Sequence, residues 1–294
     1  MDGATAAILF GLGSALAWGA GDFIGGFASR HTNPLAVIVI SQMAGLGMLV
    51  LAAVLSAEPI SSGRDLAFGA LSGLAGVVGI VALYRGLAEH KMGTIAPLAA
   101  LMTALLPIIA GTIQEGFPKP AQVAGILIAA PAIYWVSRDD RSTGPLSHLS
   151  WEILKYPLVA GLGFGLFFIL LDRVSTGAVY WPIVATRSAS IAAVVLWTLA
   201  SGGLRIRAGT PAGAAGLPGF LLPWILLGGV FDAGGNVFFA LATQAGRLDI
   251  AAVLASLFPA GTVFLAWLVL KERLSGTQWL GVAAAFVSVI LFSI

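Results

Sequence analysis

Residues 259–281 read PAGTVFLAWLVLKERLSGTQWLG. Pro259 opens a mostly apolar run, Lys271-Glu272-Arg273 closes it, and Gln278 and Gly281 begin the next one. The same order occurs in residues 107–125, PIIAGTIQEGFPKPAQVAG, where Pro107 precedes Glu115, Gln122 and Gly125. Working outward from these two stretches, the rest of the chain also pairs. Trp18-Gly19, Gln42 and Tyr84-Arg85 are followed in the same order by Phe164-Gly165, Arg187 and Phe239. Gly19 and Gly165 are 146 positions apart and Gln122 and Gln278 are 156 apart, a drift that loop insertions explain. One pattern of five hydrophobic segments therefore occurs twice, which is a transporter signature. Five is odd, so the second copy is expected to enter the membrane from the opposite side.

Composition narrows the class. Apolar residues make up 59% of 294 and charged residues 10%, against about 25% charged in a soluble domain. The expected protein is integral to a membrane, with no polar mass for a separate soluble domain. The N-terminus, Met1-Asp2-Gly3, has no basic region or cleavage site, so the first apolar stretch is expected to remain as a helix. A net charge of +2 gives no reason to expect nucleic acid, and with no Cys there are no thiolate metal sites. His31, His90 and His148 lack ligand spacing, and no Walker motif points to ATP. No cofactor is expected.

A span needs about 20 helical residues. Ten stretches qualify: 5–27, 34–56, 66–88, 93–113, 120–137, 156–173, 180–201, 219–243, 249–270 and 276–294. The fold class expected is an all-α polytopic membrane protein of ten transmembrane helices, arranged as two inverted five-helix repeats. The first repeat is residues 1–140, the linker 141–155 and the second repeat 156–294. Gly69, Gly73, Gly76 and Gly79, with Gly161, Gly163 and Gly165, predict close helix packing. Pro97, Pro107 and Pro259 fall inside segments four and nine and predict kinks there.

Ionisable groups within a bilayer are functional candidates because burying them is costly. Asp232 stands among Gly228, Gly229, Gly234 and Gly235, with Asn236 four residues later on the same helical face. Two readings stay open for it. Without a cation it would favour its neutral form and suit proton coupling or a substrate amine; alternatively it pairs with Arg187. The Arg187 guanidinium suits a substrate carboxylate, held bidentately. Asp22 lies four residues after Trp18, and Arg85 lies near a membrane edge where it can snorkel. Gln42, Tyr84, Trp18, Trp181 and Phe239 are candidate cavity liners. The candidate substrate-binding residues are thus Arg187, Asp232, Asn236, Gln42, Tyr84, Trp18, Asp22 and Phe239. No catalytic residue is assigned. Gly19-Ala20-Gly21-Asp22 matches the string of intramembrane aspartyl proteases, but Asp232 lacks the sequence context of a second catalytic aspartate.

Trp18-Gly19, Arg187, the run Pro259…Glu272-Arg273-Leu274-Ser275…Gln278-Trp279…Gly281 and the duplicated five-helix plan resemble the EamA family of the drug/metabolite transporter superfamily. The resemblance spans nearly the whole chain. It departs at Glu115-Gly116, where the second half has Glu272-Arg273, and at Gln42, where an Arg is common. It implies a secondary transporter in the cell membrane, usually an exporter of amino acids or related metabolites, with both termini cytoplasmic. The alternative is an uptake porter for a neutral polar solute such as a sugar or nucleoside. The remote alternative is an intramembrane enzyme. The partners expected are a small-molecule solute, the lipid bilayer and a coupling proton or ion; the pattern fixes no oligomeric state. Loop charges oppose the implied orientation. Arg64, Lys119, Arg173 and Arg247 share the N-terminal side, while Arg30, Lys91, Arg138, Arg141, Lys155, Arg205, Arg207, Lys271 and Arg273 lie on the other. By the positive-inside rule that second side is cytoplasmic.

Overall fold

The computed structural model describes residues 2–29, 31–32, 34–89, 92–137, 151–200, 219–270 and 275–292. Lys271-Glu272-Arg273, and most of the expected linker, lie outside the described residues. Helices account for nearly all the rest, since a chain in lipid must satisfy its backbone groups within each segment. The first half gives α1 (Gly3–Ser29), α2 (Pro34–Leu55), α3 (Gly63–Glu89), α4 (Met92–Glu115) and α5 (Pro120–Ser137). The second gives α6 (Trp151–Asp172), α7 (Tyr180–Ala200), α8 (Leu222–Ala245), α9 (Leu248–Ala255), α10 (Phe258–Leu270) and α11 (Gly276–Phe292). Among the described residues, seven helices are long and apolar enough to cross a membrane, and the apolar segments Pro120–Trp135 and Leu248–Thr262 are shorter.

The ninth sequence segment is two helices. Ser256 and Leu257 separate α9 from α10. Pro259 becomes the second residue of α10, where its missing N–H would have had no intrahelical partner. Segment four, by contrast, runs as one helix through Pro97 and Pro107.

The repeated Gln begins a helix. Gln278 Oε1 accepts from the Ser275 N–H at 2.9 Å, and the Gln278 N–H donates to Ser275 Oγ at 3.3 Å. This is a capping box at the start of α11. Gln122 Oε1 likewise accepts from the Lys119 N–H at 3.1 Å at the start of α5. The part of the motif that revealed the repeat is thus a helix-start device.

Packing is reciprocal between the halves. α1 packs on α8 as α6 packs on α3, and α2 packs on α8 as α7 packs on α3; α2 meets α7, and α5 meets α11. Glycines set the approach. A Cβ on Gly73 would collide with the Thr186 carbonyl, and one on Gly229 would collide with the Ser41 carbonyl. Those carbonyls belong to the residues just before Arg187 and Gln42. In each half, a glycine in the third helix lets the other half's second helix come close and carry its polar side chain inward. The expected glycine packing holds at Gly69, Gly79, Gly161 and Gly163 as well.

Candidate functional site

The polar side chains meet in the middle of the bundle. A cavity of about 100 Å³ is bounded by Trp18 and Asp22 (α1), Gln42 (α2), Arg187 and Ser190 (α7), and Asp232 and Asn236 (α8). The rest of its lining is mainly apolar: Gly73, Gly76, Ile80 and Leu83 of α3, and Phe164, Phe167 and Phe168 of α6.

Arg187 is 6% exposed. Its Nη1 donates to Asp232 Oδ2 at 2.5 Å. Its Nε and Nη2 are buried and have no hydrogen-bond partner. A guanidinium carries five donors and no acceptor, so this one is only partly satisfied. Asp232 is about one-third exposed (34%) toward the cavity. Of the two readings open for Asp232, the structure has the pair with Arg187.

The rest of the polar wall is tightly held. Trp18 Nε1 donates to Asn236 Oδ1 at 3.0 Å and to the Asp232 carbonyl at 3.2 Å. Gly235 makes this possible, because a Cβ there would collide with the Trp18 indole. Gln42 Nε2 donates to Ser190 Oγ at 3.0 Å, while its Oε1 is buried without a partner. Trp18 stacks on Phe168 with centroids 5.4 Å apart, and Phe168 stacks on Phe239 at 4.2 Å.

Six of the sequence-derived candidates, Trp18, Asp22, Gln42, Arg187, Asp232 and Asn236, thus line one cavity. Phe239 is a correction: it is fully buried one layer behind, against Phe168, and holds the aromatic stack. Trp181 is another, since its indole N–H donates to the Glu58 carbonyl at 2.9 Å at the start of α7. The Tyr84 side chain lies outside the described residues. Arg85 sits on the perimeter over Trp197. Sequence reasoning missed Ser190, Thr103, Phe164, Phe167 and Phe168 as liners. Two carried a signal: Ser190 lies three residues after Arg187 on the same helical face, and Phe164 takes the place of Trp18 in the second repeat. Among the described residues no cluster of His, Cys, Asp and Glu has the makings of a metal site.

One end of the bundle is tied between the two halves. Glu58, after α2, accepts from the backbone N–H groups of Val179, Tyr180 and Trp181 at the start of α7. A carboxylate at a helix N-terminus is favoured by the dipole and by the unpaired N–H groups. Asp65 Oδ1 accepts from the Ser175 N–H at 2.9 Å. Arg247 donates to the Gly116 carbonyl and to Asp249, both at 2.8 Å, and the Leu248 N–H donates to Glu115 Oε1 at 3.2 Å. The Asp249 hydrogen bond first, then the charges of Asp249 and Glu115, raise Arg247 above its ordinary value, outweighing the cost of its partial burial. It stays cationic throughout the range in which proteins fold.

The model of the EamA-like transporter family matches residues 5–138 and again residues 151–294. No curated protein matches the chain significantly. A solved structure described only as "Crystal structure of protein" is similar, with a TM-score of 0.77, 13% identity and 98% of each chain covered. At that identity the likeness shows the fold alone.

Proposed function

Because the chain belongs to the EamA-like transporter family, of the drug/metabolite transporter superfamily, we propose that the central cavity is the solute site of a secondary exporter working by alternating access. The cargo is a small metabolite such as an amino acid, and the membrane is the cell membrane. The observation that carries this reading is the half-used guanidinium of Arg187, with two buried nitrogens unpartnered beside a cavity. Buried donors without acceptors are costly, and a solute carboxylate would satisfy them. Asp232, Asp22 and the Asn236 carbonyl supply acceptors for a solute amine. Either carboxylate is placed to exchange a coupling proton or ion. The apolar wall of α3 and α6 takes the rest of the solute.

The reading includes a transport cycle. Ten crossings in two inverted halves would bring the ties at Glu58, Asp65 and Arg247 to one face, where their hydrogen bonds would hold a closed gate. A cavity of about 100 Å³ is smaller than ligand clefts of about 300–1,000 Å³, so loading requires the halves to move apart. Uptake of a neutral polar solute is the second reading. It is favoured by the 2.5 Å contact between Arg187 and Asp232, which leaves the pair mutually neutralised. A scan of amino acids against sugars and nucleosides, on wild-type protein and Asp232→Asn, separates the two. Amino-acid binding that the substitution weakens supports the first; sugar or nucleoside binding that it leaves intact supports the second.

A further inference from the structure

A small chamber of about 30 Å³ lies beside the central cavity, between α1, α2 and α8. Asp22, Gln42, Ile80 and Asp232 border both spaces. Glycines bring the helices of the chamber together. A Cβ on Gly21 would lie 3.2 Å from the Gly228 carbonyl oxygen and 3.3 Å from Asp232 Cβ. This close approach of α1 and α8 sets two carboxylates, Asp22 and Asp232, at one void. We propose that the chamber binds one alkali-metal cation, Na⁺ or K⁺, with the Asp22 carboxylate as its charge partner and the Gln42 side-chain carbonyl and Asp232 as further oxygen ligands.

Three observations carry the assignment. The first is charge. Arg187 is paired with Asp232. Among the described residues no side chain hydrogen-bonds or ion-pairs with Asp22, and no cation other than Arg187 lines either space. One negative charge is left over inside the membrane, where an unpaired charge is costly; one monovalent cation balances it. The second is Gln42, which is 5% exposed and whose Oε1 has no hydrogen-bond partner. Its amide nitrogen is already given to Ser190, on the side of the central cavity. A buried acceptor without a partner is costly, and hard cations take oxygen ligands. The third is room. Holding one water-sized particle takes about 10–15 Å³, and the chamber has about 30 Å³. A proton on Asp22 needs no such space, and a divalent ion such as Ca²⁺ takes about 6–8 oxygens and brings one charge too many.

The repeat does not require either carboxylate. At the offset that aligns Gly19 with Gly165, Asp22 aligns with Phe168. At the offset that aligns Gly73 with Gly229, Asp232 aligns with Gly76. The pair α6 and α3, which corresponds to α1 and α8, thus has neither charge at these positions, and the scaffold does not account for them. Because Asp232 borders both spaces, the cation and a solute amine draw on one carboxylate. On the reading of the central cavity as the solute site, on which this last step rests, the cation is the coupling ion and leaves as the solute binds.

The test uses full-length protein in neutral detergent, first without solute. NaCl and KCl are each titrated against choline chloride at constant ionic strength, and the readouts are the unfolding midpoint and the binding of radioactive sodium and rubidium. The expected result is a saturable rise in midpoint with Na⁺ or K⁺ that choline does not give, with one cation bound per chain. Asp22→Asn is expected to weaken cation binding at least about ten-fold, since even groups behind the ligands are worth about 10–100-fold in metal affinity. Gln42→Met, which keeps both carboxylates and roughly the volume, is expected to weaken it as well. Binding is counted per folded chain, so loss of yield does not confuse the reading. Equal stabilisation by choline, wild-type cation binding by either variant, or a midpoint that follows pH with no dependence on Na⁺ or K⁺ would overturn the proposal. An amino acid that binds without weakening cation binding would overturn the exchange. With no solute in the first assay, its failure leaves the solute site at Arg187 untouched, and an absence of amino-acid binding leaves the cation site untouched.

Discussion

Arg187 gives one guanidinium nitrogen to Asp232 at 2.5 Å and keeps two others buried without a partner. The two residues sit on neighbouring helices at the edge of a cavity. Partly satisfied buried networks are costly, and in the proposed reading a solute carboxylate takes the donors that Asp232 leaves unused.

The glycines that bring the halves together are expected to tolerate no side chain. Gly73→Val and Gly229→Val each place atoms against a backbone carbonyl, at Thr186 and Ser41, which has no room to move without shifting a helix. Overpacking of this kind costs about 1–3 kcal/mol. Gly234→Ala is the control, since nothing lies within 4 Å of a Cβ there; it is expected to be neutral or slightly stabilising, because Ala favours helix over Gly. Thermal unfolding midpoints in one detergent decide the matter. Equal midpoints for all three variants would contradict the packing account.

Most of the architecture was legible in the sequence because lipid imposes it. Hydropathy and length placed the apolar segments within a few residues of the helices, and the charge rule pointed to Arg187, Asp232 and Asp22. The break at Ser256–Leu257 was not legible. Pro259 signals a disrupted bond but not which residues leave the helix, and those lie on its N-terminal side. The aromatic wall was also hidden. Phe167 and Phe168 look like lipid-facing residues, because a cavity-lining Phe and a lipid-facing Phe share one hydropathy; Phe164 was marked only by standing where Trp18 stands in the first repeat. Only packing tells them apart, as it does Phe239 from Trp18.

The gate ties make a separate prediction. Glu58→Ala removes the acceptor for three N–H groups at the start of α7, and Arg247→Ala removes the bridge to Gly116 and Asp249. Both are expected to raise the population open on this face. The chain has no Cys, so a single Cys introduced at Thr103 on the cavity wall can be probed directly. Its labelling rate by a membrane-impermeant thiol reagent, applied from the side of these loops, is expected to rise several-fold in either variant. An unchanged rate would mean that these ties do not hold the gate.

Orientation is tested at the C-terminus and between the repeats. Family membership implies cytoplasmic termini, whereas the basic loop residues favour the opposite. With cytoplasmic termini, a reporter active only outside the cytoplasm stays silent when fused after Ile294, and one fused after Ser142, between the two repeats, is active. The reverse pattern would show that the loop charges set the topology. Equal activity at both sites would contradict the expected ten-span arrangement, which puts an odd number of crossings between them.

The most direct test of the solute site separates its chemistry from its contribution to stability. Removing one partner of a buried pair costs about 3–5 kcal/mol, and Asp232→Asn should fall at the lower end because Asp232 is partly open to the cavity. Replacing both partners with apolar residues is often neutral. The double variant Arg187→Met with Asp232→Leu is therefore expected to unfold within about 1 kcal/mol of wild type while the single variants are weakened. The decisive measurement is amino-acid flux into proteoliposomes by equal amounts of folded wild-type and double-variant protein. The account predicts flux in the wild type and background flux in the double variant. Near wild-type flux from a double variant of wild-type stability would contradict it, leaving Arg187 and Asp232 as a structural pair and the solute site elsewhere.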